Sequence, residues 1–237
     1  MGARKAGGVN LFGYLQQAQN WSGPEGIWAR VLEHLYYTAL SVLVAAVVAI
    51  PLGILIGHTR RGSFLVIGIS NAARAIPSLG LLVLVVLLLG TGNFPVILVL
   101  AVLALPSILT ATTAGVEGAD PEAVYSARAL GMTGGQVVSQ VEWPLALPLV
   151  ISGLRSATLQ VVATATVAAF AAGGGLGRLL ISGQRSNDYA QMFAGAVLVA
   201  ALAIVLDVVL GGVGLLVGRR ARPRRRIMAG TVPVPST

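Results

Sequence analysis

The chain of 237 residues contains no cysteine, which excludes disulfides, thiol catalysis and cysteine-bound metal. Its two histidines, His34 and His58, are too few for a histidine cluster. No Gly-x-x-x-x-Gly-Lys-Ser/Thr loop is present, so the chain does not hydrolyse nucleotides by that route. Paired carboxylates and a nucleophile with its base are equally absent, and the expectation is a protein that is not an enzyme and holds no cofactor or metal of its own. Charged residues make up only 10% of the chain and aromatics 5%. No two segments are similar enough to form an internal repeat, which weighs against single-chain carriers built from inverted halves. Residues 1–24 carry Arg4 and Lys5, but a polar stretch from Gln16 to Asn20 stands where a signal peptide has its apolar region, so the spans themselves are expected to direct insertion.

What the chain has in excess is apolar sequence. Hydrophobic residues reach 56% and mean hydropathy is +0.85, beyond what a soluble core uses. They gather into runs of about 20, the length a helix needs to cross a hydrocarbon layer of roughly 30 Å. The pattern predicts an all-α membrane protein with five spans. The first is Tyr36 to Gly57, kinked at Pro51 and closed by the basic loop His58 to Gly62. Ser63 to Gly90 would make a helix of about 42 Å, too long for one upright crossing. It is expected to break at Ala75-Ile76-Pro77, because proline disfavours helix in the residue before it. Ser63 to Arg74 then lies near the cytoplasmic interface, and a second crossing begins at Pro77 and turns at Thr91-Gly92-Asn93. Further spans run from Phe94 to about Gly115, Pro148 to Phe170 and Ala190 to Gly218.

Five crossings place the two ends on opposite sides. Six arginines between Arg219 and Arg226 follow the last span, and there a basic run marks a cytoplasmic anchor rather than a nucleic-acid surface, despite the net charge of +8. With that tail inside, Arg60, Arg61 and the interval from Asp120 to Pro144 are inside too, and the N-terminus is outside. The division is an outer amphipathic segment over residues 1–35, a membrane domain over 36–218 and a basic tail over 219–237. Gly173 to Gly177 is expected to form a flexible outer turn.

Between the third and fourth spans, Asp120 should cap a helix whose first turn holds Pro121 and Glu122, and Gly131 should end it in a left-handed conformation. A second helix should follow from about Thr133, giving two short helices and an elbow outside the membrane. Small residues at Ala127 and Gly131 would leave room for another protein. This segment resembles the coupling loop of ABC-importer permeases, Glu-Ala-Ala, three residues, Gly, nine residues, Ile, one residue, Leu-Pro. Ala127, Gly131, Val141 and Pro144 fall at the matching spacings, while Tyr125, Ser126 and Trp143 depart from it. The resemblance implies a MetI-like fold and a docking site for a cytoplasmic ATPase, which holds the ATP, made of Tyr125, Ala127, Arg128, Gly131, Met132, Val141 and Pro144.

Asn71 to Leu79, Gly153 to Ala157, Ala163 to Phe170 and Gly173 to Gly177 are similar to the permeases for glycine betaine, carnitine and choline. That similarity implies osmoprotectant uptake in the inner cell membrane, with a second permease subunit and an extracytoplasmic substrate-binding protein as partners. The polar residues at membrane depth, Ser107, Gln160, Thr164 and Thr166, are candidates for the pathway, although such residues also join membrane helices. Arg155 and Asp207, about 10 Å and 16 Å from the cytoplasmic ends of their spans, are expensive in lipid and are candidates for a pair. A permease for methionine, another amino acid or phosphonate fits the same loop, and an ion-coupled carrier is the reading from a different class.

Overall fold

The computed structural model describes residues 11–170 and 174–221. Arg4, Lys5, Gly173 and the tail beyond residue 221 lie outside the described residues, as do the side chains of Asn71 and Arg74. Among the described residues ten α-helices follow one another: α1 Gly13–Gln16, α2 Ile27–Thr59, α3 Ser63–Ala75, α4 Ser78–Leu89, α5 Asn93–Glu117, α6 Pro121–Ala129, α7 Gly134–Val137, α8 Trp143–Ala168, α9 Gly177–Ser186 and α10 Tyr189–Ala221. No strand occurs among the described residues.

Among the described residues four helices are long and apolar enough to cross a membrane: α2, α5, the run Gly134–Ala168 and α10. Helix α2 starts nine residues before the expected first span, running unbroken from Ile27 past Tyr36 for 33 residues, about 50 Å. The break before Pro77 is where the sequence puts it, α3 ending at Ala75 and α4 starting at Ser78. The expected second crossing is therefore a helix of only 12 residues, about 18 Å long. By itself it falls short of the hydrocarbon thickness.

Helix α5 is the core of the bundle, with α2 and α8 packed along it. Tyr37, Ser41, Ala45, Ala49, Gly53 and Gly57 of α2 recur at every fourth position and are all buried. Residues four apart share one helix face, and small ones let two backbones approach closely. A β-carbon at Gly53 would lie 2.7 Å from Thr112 Cβ, and one at Gly57 would lie 2.7 Å from Val116 Cβ, so the glycines fix how near α2 comes to α5. Across the other side of α5, Gly115 faces Ala146, and Gly153 faces Ala111. A β-carbon at Gly153 would stand 2.4 Å from that of Ala111 with no flexible side chain to give way. Gly153→Ala should therefore lower stability by about 1–3 kcal/mol through overpacking. Thermal unfolding in detergent checks this against Gly212→Ala, where nothing lies within 4 Å.

Polar side chains join the same helices. Tyr37 Oη donates to Asn93 Oδ1 at 2.8 Å, Ser70 and Thr110 share a 2.9 Å hydrogen bond, and Ser63 donates to Glu117. The last two bonds, with buried Val66 between them, attach α3 to the bundle, while its outer face, with Phe64, Leu65, Ile67 and Ile69, is exposed.

Candidate functional site

The loop after α5 is built as two capped turns. Asp120 carboxylate accepts the Glu122 N–H at 3.0 Å, Pro121 occupies the first turn of α6, and Glu122 adds an acid there. At the other end Gly131 has φ +82°, its N–H donates to Arg128 C=O at 3.0 Å, and Met132 N–H donates to Ala127 C=O at 3.2 Å. These paired bonds are the Schellman ending of a helix, which needs a residue at ease with positive φ. Gln136 Oε1 accepts the Thr133 N–H at 2.8 Å and starts the next helix.

That second helix is not a short separate element. From Gly134 it continues through a π-helical turn, Val138–Glu142, into α8. Trp143 N–H reaches back five residues to Val138 C=O. The widened turn accommodates Pro144, which has no N–H and would collide with the carbonyl four residues earlier in a regular helix. The elbow at Gly131–Thr133 thus joins α6 to the base of a 35-residue helix that runs through the bundle.

The sequence-derived docking residues divide by exposure. Tyr125, Arg128 and Gly131 are exposed, Met132, Val141 and Pro144 are half-buried, and Ala127 is buried. Ala127 is thus small because it packs within its own chain. Tyr125 at 75% and Leu130 at 84% exposure are the large apolar side chains on this surface. Beside them, Tyr125, Arg128, Val124 and Pro121 share a hollow of about 380 Å³ with His58 and Arg60. His58 Nδ1 and Glu142 Oε2 meet at 2.7 Å and clasp the end of α2 to the π turn, with Glu142 buried. Glu142 stands out in the sequence only as one of the acids between the third and fourth spans, with nothing to pair it with His58. Its signal is an acid at the edge of an apolar run, where an unpaired charge is costly.

Within the helices, Ser107 Oγ donates to Gln160 Oε1 at 3.2 Å and Gln160 Nε2 donates to Leu103 C=O at 3.1 Å, joining α5 to α8. Thr164 and Thr166 hydroxyls donate to the carbonyls of Gln160 and Val162 in their own helix. All four candidate pathway residues are thus engaged in bonds within or between helices. Arg155 and Asp207 are brought together: Nε and Nη2 donate to the two carboxylate oxygens, each at 2.5 Å, in a fork from α8 to α10.

At the opposite end of the bundle Glu33 and His34 hold the segment after α8, and neither was singled out from sequence. Gly175 N–H donates to Glu33 at 2.8 Å, and Leu176 N–H donates to His34 Nδ1 at 3.3 Å. With Nδ1 an acceptor, the ring proton is assigned to Nε2, which donates to Val162 C=O at 3.1 Å. The expected flexible glycine turn is close-packed where it is described. A β-carbon would stand 2.6 Å from Glu33 Oε2 at Gly174, 2.9 Å from His34 Nδ1 at Gly175 and 2.2 Å from Thr166 C=O at Gly177.

Comparisons with known proteins agree with this architecture. Residues 49–223 match the model for binding-protein-dependent transport system inner membrane components. The glycine betaine/carnitine/choline transport system permease protein OpuCB of Bacillus subtilis (strain 168) is 36% identical over 75% of this chain and 82% of its own length. The choline transport system permease protein OpuBB of the same strain is 35% identical over 76% of this chain and 83% of its own. Among solved structures, the MetNI methionine ABC transporter in an inward-facing conformation aligns with a TM-score of 0.72 at 24% identity, over 81% of this chain and 95% of that one. The match over most of the chain and the identity to these permeases establish that the chain belongs to the family of inner membrane components of binding-protein-dependent transport systems.

Proposed function

We propose that this chain is the permease subunit of an ATP-driven importer of quaternary-ammonium osmoprotectants, coupled through residues 120–148 to a separate cytoplasmic ATPase. The observation that carries the coupling is the build of that loop: two fixed caps, exposed Tyr125 and Leu130 on α6, and an elbow at Gly131 that joins α6 to a helix continuous with the membrane bundle. A push delivered there reaches α8 through the elbow of only three residues, 131–133, whose backbone N–H groups are bonded to α6 on one side and to Gln136 on the other. The substrate class rests on the names of the relatives, glycine betaine, carnitine and choline, and on the sequence similarity around Pro77, Arg155 and Thr164.

In this reading the loop and the arginine tail lie inside, and Glu33, His34 and the segment that precedes α2 lie outside, where a binding protein delivers substrate. A second permease subunit completes the path. The short α4 crosses as part of the broken pair α3–α4, which brings the spans to five.

The test is to express the chain with its genomic neighbours, purify it in detergent and ask which proteins accompany it. An ATPase should co-purify, and proteoliposomes holding the complex should accumulate radiolabelled glycine betaine, carnitine or choline when ATP and the binding protein are supplied. Uptake of methionine and of none of the three would overturn the substrate class. Purification without an ATPase would overturn the coupling.

A further inference from the structure

Arg155 and Asp207 form a bidentate ion pair inside two helices long enough to cross a membrane, yet the pair is not sealed. Their side chains remain 45% and 30% exposed. Ser152, Arg155 and Ser156 lie on an exposed face of α8 one turn beyond exposed Leu149, whereas α10 exposes Ile204, Val205, Val208 and Val209. Lipid suits the second group and not the first, so the polar face of α8 belongs to water or to protein. Beside the pair is a cavity of about 570 Å³ whose lining includes Pro148, Ile151, Ser152, Gly211 and Leu215. That volume lies within the range of small-ligand pockets. The guanidinium uses Nε and Nη2 on Asp207, and it runs past Gly211, where an added β-carbon would stand 3.6 Å from Nη1. Glycine there leaves the cation accessible from the cavity.

We infer that the Arg155–Asp207 pair is an opening clamp for a zwitterion in transit, Arg155 taking a carboxylate and Asp207 a quaternary ammonium. The inference rests on the proposed substrate class and specifies how that class is held. An isolated charge in a low-dielectric setting is expensive, and a pair opened by a singly charged solute leaves one partner without a counter-ion. A zwitterion replaces one ion pair by two, so each charge keeps a partner throughout. When the solute leaves, the clamp closes on itself. Closure competes with the solute and keeps binding weak, as passage requires. The fork of Arg155 matches a carboxylate's two oxygens, and Asp207 meets the ammonium by Coulomb attraction alone. Choline carries the cation without the carboxylate and would leave Arg155 unpaired.

The test measures ATP-driven uptake of radiolabelled glycine betaine and choline by the reconstituted complex. Arg155→Gln should lower the ratio of betaine to choline uptake about tenfold or more, the size of one charged contact, and Asp207→Asn should raise that ratio. Equal losses of both substrates in both variants would mean that the pair only joins α8 to α10, and would overturn the clamp. A wild type that moves choline but no betaine would overturn it too. A wild type that moves no quaternary ammonium fails the substrate reading itself. Because the chain has no cysteine, Ser152→Cys gives a second readout without touching either charge. A membrane-impermeant cationic thiol reagent should label it in the complex, and saturating glycine betaine should slow that labelling. Absence of labelling in the transporting complex would place this face away from the aqueous path and overturn the clamp.

Discussion

Replacing Gly131 by valine should strip the ATPase from the purified complex, while replacing Gly135 by alanine should leave it bound. Neither position has an atom within 4 Å of where a β-carbon would stand, so the two substitutions do not differ in the space available. They differ in backbone. Gly131 has φ +82°, and Gly135 lies within helix α7. A left-handed conformation costs a non-glycine residue roughly 1–2 kcal/mol, and a β-branched one is worse placed still. Alanine for glycine inside a helix gains about 0.5–1 kcal/mol instead. Valine at 131 therefore undoes the turn in which the N–H groups of Gly131 and Met132 close α6, and Tyr125 and Leu130 lose their fixed positions. With about 1.4 kcal/mol for each factor of ten, co-purified ATPase should fall about tenfold or more. Tyr125→Ala separates contact from conformation: at 75% exposure its effect on stability should stay within about 0.5 kcal/mol, whereas association should weaken. Undiminished ATPase binding by Gly131→Val would remove the docking assignment.

Much of this architecture follows from local rules that a single sequence displays. Pro77 breaks the apolar stretch at the residue before it, and Asp120, Pro121 and Gly131 bracket α6 as capping chemistry requires. The small residues from Ser41 to Gly57 recur at every fourth position of the sequence, yet the spacing alone does not single them out. Only α5, against which they pack, gives the stripe its meaning. Other features were not local. The continuity of Gly134–Ala168 depends on a π turn that absorbs Pro144, whereas proline on its own signals an interruption. The glycines at 174–177 suggested flexibility because sequence does not show neighbours, and the neighbours that require glycine there come from α2 and α8. Arg155 and Asp207 drew notice as charges in apolar runs, but their fork needs the crossing of α8 and α10. Glu142 meets His58 across 84 positions. Spacing rules carry no information over such a distance.

The same long-range logic makes His34 the position where one substitution should do the most harm. It is fully buried, and it takes a backbone N–H from Leu176 while giving its own proton to Val162, so one ring joins α2, α8 and the segment leading into α9. His34→Ala removes the ring and leaves the Leu176 N–H unpaired. The cavity and the orphaned donor together should lower stability by about 3–5 kcal/mol, enough to unfold a marginally stable domain. Val162 C=O suffers less, because the Thr166 hydroxyl also donates to it. Asparagine keeps an acceptor near the Nδ1 position, so His34→Asn should recover part of the loss and His34→Leu, of similar bulk but without the acceptor, should recover less. Glu33→Gln should be milder than any of these, since the amide oxygen still accepts the Gly175 N–H and only the Arg30 charge partner at 2.9 Å is lost. Monodispersity in detergent and the midpoint of thermal unfolding measure the series. The order alanine worst, leucine next, asparagine nearer to wild type identifies the Leu176 bond as the contact that matters. Equal behaviour of leucine and asparagine would mean that only the volume of the ring counts.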